Sequence, residues 1–122
     1  MRPRGDRPAR VAERIREEIS GILQHRASDP GFMKVTVTDV TVTPDLKMAR
    51  IHYSVLGEES DRTAAREALR RSRGYLRHEL GRALALRYVP EIEFRYDDSY
   101  DRGVRIDRLL AEVLPEEEPG EE

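Results

Sequence analysis

Residues 62–96 read RTAAREALRRSRGYLRHELGRALALRYVPEIEFRY. Two helical patterns meet inside this stretch. Ala65, Leu69, Ser72 and Leu76 recur at helical spacing, and Leu76, Leu80, Ala83 and Leu84 carry an apolar face on towards Arg87. Ser72-Arg73-Gly74 lies between the two patterns. Glycine inside a helix costs about 1 kcal/mol relative to alanine, and glycine–serine pairs are a recognised cause of kinks. The spacing therefore predicts two helices meeting at an angle instead of one straight rod. Pro90 then stops helical character and opens a strand, with Ile92, Phe94 and Tyr96 facing in and Glu91, Glu93 and Arg95 facing out.

The same stretch is strongly basic. Arg62, Arg66, Arg70, Arg71, Arg73, Arg77, Arg82 and Arg87 face only Glu67 and Glu79, a local +6 in a chain whose formal charge is −2. At about 100° per residue, Arg62, Arg66, Arg70, Arg73 and Arg77 fall within an arc of about 80° beside the apolar face. Charge is segregated elsewhere too. Residues 1–26 sum to +3, residues 27–61 to −3 and residues 88–122 to −8. A molecule with one basic side suits a polyanionic partner, and an RNA backbone fits that description. The plain alternative is a solvated helix face with ion pairs to Glu67 and Glu79.

Upstream, residues 1–8 hold three arginines and two prolines without any period, and read as a flexible basic arm. Val11, Ile15, Ile19, Ile22 and Leu23 predict a helix from Ala9 to Arg26. Asp29-Pro30-Gly31 ends it in a tight turn. Val35, Val37, Val40 and Val42 slip phase by one residue, so a bulge at Thr38-Asp39 is expected. Pro44-Asp45 turns the chain into a second strand, with Ala49, Ile51, Tyr53 and Val55 inward and Met48, Arg50, His52 and Ser54 outward. Ser60 or Asp61 is placed to cap the next helix. Downstream, Asp97-Asp98-Ser99 reads as a turn, and Val104, Ile106, Leu109, Leu110 and Val113 as a last short helix or docking segment. Residues 114–122 form an acidic tail, expected to be disordered. The domain proper is thus 9–113.

Composition narrows the function classes. The chain has 122 residues, enough for one domain with a modest core, and 38% of them are charged. It has no cysteine, which excludes disulfides, thiolate metal sites and cysteine nucleophiles. No apolar run approaches a membrane span and no secretory h-region follows the N-terminus, so a cytoplasmic protein is expected. His78-Glu79 lacks the second histidine of a zinc helix, because the position four residues on is Arg82. Asp97, Asp98 and Asp101 lack the glycine and terminal glutamate of a calcium loop. Neither a P-loop nor a Gly-x-Ser-x-Gly elbow occurs. A non-enzyme without metal or cofactor is the expectation. Among the tyrosines, Tyr75, Tyr88, Tyr96 and Tyr100 are candidates for base stacking. Tyr96 alternates with core positions, and Tyr100, in a loop, is the better candidate for an exposed ring.

The order helix, strand, strand, helix, kink, helix, strand is that of a type II K-homology (KH) domain, an α+β fold with helices on one face of a three-stranded mixed sheet. The residues go further and resemble the bacterial ribosome-binding factor A family. The likeness lies in Arg10-Val11-Ala12-Glu13-Arg14-Ile15, Asp29-Pro30, Val35-Thr36-Val37-Thr38-Asp39-Val40, Pro44-Asp45-Leu46 and Gly74-Tyr75-Leu76-Arg77. It continues in Leu86-Arg87-Tyr88-Val89-Pro90-Glu91-Ile92, Phe94 and Asp97-Asp98-Ser99. Ordinary KH domains place a GxxG loop between the paired helices. The family resembled here uses an Ala-x-Gly kink, and Ser72-Arg73-Gly74 is similar to it with serine for alanine. Serine is small, and its hydroxyl can bond a backbone carbonyl and bend a helix.

The resemblance implies a monomeric, non-enzymatic factor that binds the free small (30S) ribosomal subunit. It implies assistance to late 16S rRNA maturation, including folding and processing of the 5′ end, with a role in cold adaptation. Ribosomal proteins and assembly GTPases are the further implied partners. A generic KH-type RNA-binding protein, and a protein-interaction module using the acidic tail, are the alternatives. For RNA, Arg66, Arg70, Arg71, Arg73 and Arg77 are expected to meet phosphates, since guanidinium forks pair well with them. Arg50, with His52, is expected to reach RNA from the second strand. Arg2, Arg4, Arg7 and Arg10 would add diffuse attraction.

Overall fold

The computed structural model describes residues 6–26, 28–99 and 109–111. Helix α1 spans Asp6–Gly21 and continues as a wider π turn over Ile22–Arg26. It begins three residues before the expected start at Ala9, so Arg7 sits on its first turn. The change of helix type falls beside Gly21, a weak helix former. Ile15, Ile19, Ile22 and Leu23 are all buried, as their spacing requires.

Strand β1 (Val35–Val42) pairs antiparallel with β2 (Met48–Val55), and β3 (Glu91–Tyr96) pairs parallel with β2. The sheet order is β1-β2-β3. The expected bulge lies between Val37 and Asp39 and leaves Thr38 unpaired. Val35 and Val40 are buried, and Val37 and Val42 pack against the core from its margin. Without the extra residue, one valine pair would point to the opposite face.

Helix α2 (Glu59–Arg71) and helix α3 (Arg73–Leu84) follow β2. The cap of α2 is Glu58, not Ser60 or Asp61 as expected. Glu58 and Asp61 satisfy each other's backbone N–H groups in a capping box, which places Asp61 one turn inside. Helix α3 stops at Leu84 and does not reach Arg87, because Ala85 takes a left-handed conformation with φ 53°. Ala83, assigned to the apolar face from its spacing, is exposed.

One core joins these elements. Ile15, Ile19 and Ile22 of the first helix, Ile51 of β2, Leu69 of α2, Leu76 and Leu80 of α3 and Ile92 of β3 are fully buried. Phe32, also buried, belongs to a 3-10 turn over Pro30–Phe32 that packs under α2. A Cβ on Gly31 would stand 2.7 Å from Ala68 Cβ and 2.9 Å from the Ala64 carbonyl oxygen. Gly31 is therefore a packing residue, and not only the turn residue expected of Pro-Gly. Asp29 caps this turn by accepting from the Gly31 N–H at 2.9 Å. Residues 109–111 form a helical turn on which Leu109 and Leu110 are half exposed. The arm residues Arg2 and Arg4, Tyr100, most of the expected last helix and the acidic tail lie outside the described residues.

Candidate nucleic-acid interface

The two arginine-bearing helices are separated by one residue. Ser72 has φ −99° and ψ 6°, outside the helical well, and is both the last cap of α2 and the first cap of α3. Its N–H donates to the Ala68 carbonyl at 3.0 Å, and its carbonyl accepts from the Leu76 N–H at 2.8 Å. The hydrogen-bond ladder thus continues across the break, and the departure from helical backbone geometry falls on Ser72. Ser72 makes no side-chain capping bond, so the bend is a backbone property and owes nothing to the hydroxyl. Gly74 is not what bends the chain either. A Cβ there would meet nothing within 4 Å, and its φ is not in the left-handed range.

The bend sorts the arginines into different surroundings. Arg66, Arg70 and Arg73 line one cleft of about 270 Å³ with Tyr53, Leu69, Glu93, Phe94 and Tyr96. This cleft lies between the C-terminal half of α2 and the β3 edge. Arg66 and Arg73 make no ion pair among the described residues. Arg70 pairs with Glu67, one turn back on the exposed helix surface, at 2.5 Å. That bond, together with the Arg70 charge, lowers the Glu67 pKa. Solvent screens an exposed ion pair of this kind, so Arg70 can exchange its partner for a phosphate at little cost.

Arg71 and Arg77 do other things. Arg71 reaches Asp29 at 2.7 Å and ties the end of α2 to the turn beneath it. The Gly31 N–H first and Arg71 second hold the Asp29 carboxyl below the usual carboxylate range. Arg77 Nε donates to the Pro90 carbonyl at 2.9 Å and Nη2 to the Val89 carbonyl at 2.7 Å, with Glu91 at 3.5 Å. The expected five-arginine row is therefore split by tertiary contacts that no helical wheel contains.

On the sheet, Arg50 Nε donates to Glu93 at 3.0 Å, and Arg95 reaches the other oxygen of the same carboxylate at 3.0 Å. Arg95, then Arg50, lowers the Glu93 pKa. Glu93, the one carboxylate lining the cleft among the described residues, is thus engaged from the strands. Arg50 sits within this mixed-charge cluster, with His52 opposite Arg95 in the register. Arg7 and Arg10 are exposed on the first turns of α1. Arg7 joins a different cavity, with Val11, Leu46, Lys47, Arg87 and Tyr88.

The aromatic residues divide as well. Tyr53 makes edge-on contacts with Phe94 at 6.4 Å and Tyr96 at 5.7 Å, and the Arg62 guanidinium lies 6.0 Å from the Tyr96 ring centre. Tyr96 is half buried and forms a wall of the cleft. Tyr88, which sequence reasoning ranks below Tyr100 as an exposed ring, is 78% exposed, with Arg87 stacked 5.4 Å from its ring centre. The adjacency of Arg87 and Tyr88 before a proline is the signal that could have raised it. Asp97 behaves as the expected turn residue, accepting from the Ser99 N–H at 3.0 Å and the Thr38 hydroxyl at 2.7 Å. Among the described residues, no three His, Asp or Glu side chains converge on a point where a metal ion could sit. No helix among them is long and apolar enough to cross a membrane.

Comparison with known proteins agrees with this architecture. Residues 7–110 match the sequence model of a family described as Ribosome-binding factor A. A protein of that name from Desulfatibacillum aliphaticivorans is 43% identical over 115 residues, covering 94% of each chain. The crystal structure of ribosome-binding factor A from Thermus thermophilus superposes with a TM-score of 0.65 at 24% identity, over 73% of this chain and 93% of that one. A homology model of the Thermus thermophilus protein, fitted into a cryo-EM map of a complex with 30S, superposes with a TM-score of 0.61 at 23% identity, over 71% of this chain and 91% of that one.

Proposed function

The chain belongs to the ribosome-binding factor A family, and from that premise we propose that it binds the free small ribosomal subunit late in maturation, through the cleft at the bend between α2 and α3. It acts by binding, without catalysis, in the cytoplasm where subunits are assembled. The observation that carries this reading is the placement of Arg66 and Arg73. Both guanidinium groups stand at one cleft, paired with no carboxylate among the described residues, beside the half-buried Tyr96 ring. Phosphate oxygens are the partners that such forks lack. The Thermus thermophilus relative, described in a complex with 30S, supports the choice of subunit.

The finer reading is that binding assists folding and processing of the 16S rRNA at its 5′ end. Contacts to phosphates fix position and carry little sequence information. Specificity then comes from the shape of the immature rRNA. Arg70 joins Arg66 and Arg73 as a third phosphate contact. Arg71 and Arg77 shape the surface without meeting RNA.

Co-sedimentation with free small subunits, large subunits and assembled ribosomes, repeated across a salt series, tests the proposal. Selective association with the free small subunit, weakening as salt rises, is expected. Replacing Arg66 and Arg73 together by glutamate should abolish that association while the domain stays folded. Unchanged association in the folded double variant would overturn the assigned cleft.

A further inference from the structure

The segment Ala85–Pro90 is fastened to α3 from beneath. Arg77 holds the carbonyl oxygens of Val89 and Pro90 at 2.7 and 2.9 Å. The Val89 side chain occupies the place where a Cβ on Gly81 would stand, with Cγ2 only 2.6 Å from that point. The Ala85 N–H donates to the Gly81 carbonyl at 2.9 Å while Ala85 holds its left-handed backbone. For a non-glycine residue that conformation costs about 1–2 kcal/mol, so the surrounding contacts dictate the path of the loop. The loop is held to α3 by Arg77, by the seat of Val89 on Gly81 and by the Ala85 N–H.

Its outer side has no such purpose. Tyr88 is 78% exposed, and an exposed ring contributes little to the core. The Arg87 guanidinium lies over that ring at 5.4 Å and pairs with no carboxylate among the described residues. Beside this ridge runs an open groove of about 550 Å³, lined along α3 by Gly74, His78 and Arg82. Arg82 is paired with Glu79 at 3.2 Å but remains two-thirds exposed, so its outer face is available. The groove ends at Gly74, where bare backbone meets open space. Arg73, the chain neighbour of Gly74, lines the α2 cleft, so the groove and the cleft are bordered by adjacent residues at the start of α3.

We propose that the Arg87–Tyr88 ridge is a stacking platform for an unpaired RNA base, whose phosphate lies in the groove against Arg82. A flat ring beside a guanidinium accepts any base, because every base has a π face and the backbone supplies the negative charge. Unpaired nucleotides are the elements of RNA whose faces are open to such contact. The loop is held before binding, so little order has to be imposed when the base arrives. This inference rests on the RNA-binding reading of the chain and adds a second contact, distinct from the α2 cleft.

The full chain titrated with a single-stranded RNA hexamer carrying a central 2-aminopurine tests it. Stacking on Tyr88 should quench the fluorescence, and the same fluorophore inside a perfect duplex should show no quench. Tyr88→Ala should lose the quench and weaken hexamer binding about ten-fold. Tyr88→Phe should keep both, and Arg87→Glu should weaken binding without changing the melting temperature. The Arg66→Glu, Arg73→Glu double variant should retain the quench, which separates this contact from the α2 cleft. A quench that survives in Tyr88→Ala, or no quench in the unaltered protein, overturns the proposal. So does a Tyr88→Ala variant that loses small-subunit association while hexamer binding is unchanged, since the ridge would then be meeting a protein.

Discussion

Arg77, one turn into α3, is hydrogen-bonded through Nη2 to the main-chain carbonyl of Val89, 2.7 Å away and 12 residues further along the chain. With Nε on Pro90, the guanidinium bridges α3 to the start of β3. An arginine that reads as part of a basic stripe is in fact a strut.

Arg77→Ala should therefore behave as a stability variant. Two carbonyl oxygens lose a charged donor, for which about 1–3 kcal/mol each is the upper range when the acceptors are buried. These are part-buried, so the low end is expected in urea unfolding. Loss of small-subunit binding with undiminished stability would return Arg77 to the phosphate contacts.

Gly74→Ala and Gly81→Ala should move stability in opposite directions. A Cβ at Gly74 meets open space, so alanine should add about 0.5–1 kcal/mol through helix propensity. A Cβ at Gly81 would meet Val89 Cγ2 at 2.6 Å, and overpacking of this kind costs about 1–3 kcal/mol. If Gly74 lets the RNA backbone approach closely, its alanine variant should also bind small subunits more weakly despite melting higher. A Gly74→Ala protein that melts lower would show that the bend does need glycine.

Arg66→Gln and Arg73→Gln should each reduce the slope of log K against log[salt] for subunit binding by about 0.7–0.9, one phosphate contact apiece. Arg71→Gln should leave the slope unchanged and lower stability slightly, because its partner is Asp29. An unchanged slope in both Arg66→Gln and Arg73→Gln would remove these residues from the interface.

Acid stability should depend on Asp97. Hydrogen bonds from the Ser99 N–H, the Ser99 hydroxyl and the Thr38 hydroxyl hold its carboxyl down to about 2, against about 3.9 for an ordinary aspartate. A carboxyl with a depressed folded-state pKa stabilises in full above the unfolded value and loses that stabilisation as pH falls through the folded one. The contribution should therefore vanish between about pH 4 and pH 2. Urea unfolding at pH 5 and at pH 2.5 should show a smaller difference for Asp97→Asn than for the unaltered chain. Equal differences would mean that the Thr38 and Ser99 bonds do not favour the ionised form.

Much of the fold was legible because its signals are periodic. The isoleucines at positions 15 and 19 of α1 and 22 of the π turn that continues it, the phase slip at Thr38 and the alternation in β2 and β3 each follow from local geometry, and each is found. The break at Ser72 was legible too, although the serine hydroxyl and Gly74, which the sequence offers as its cause, are not what bends the chain. The errors fall at ends. Ala85 stops α3 early because its left-handed turn lets Val89 seat on Gly81, a contact between segments. Glu58 caps α2 because Asp61 reaches back to it, an exchange between two acidic residues that the preference for serine or aspartate caps does not signal.

Sequence by itself determined the element order, the mixed sheet's inward faces and the concentration of arginine around one bend. These depend on spacing along the chain, and spacing survives without coordinates. Only the tertiary structure decided which guanidinium groups remain available. Arg71 and Arg77 are bound by Asp29 and by the carbonyls of Val89 and Pro90, groups brought near by folding, whereas Arg66 and Arg73 are left facing a cleft. The physical reason is that a hydrogen bond acts over about 3 Å in space, and the partners that satisfied these arginines are distant in sequence.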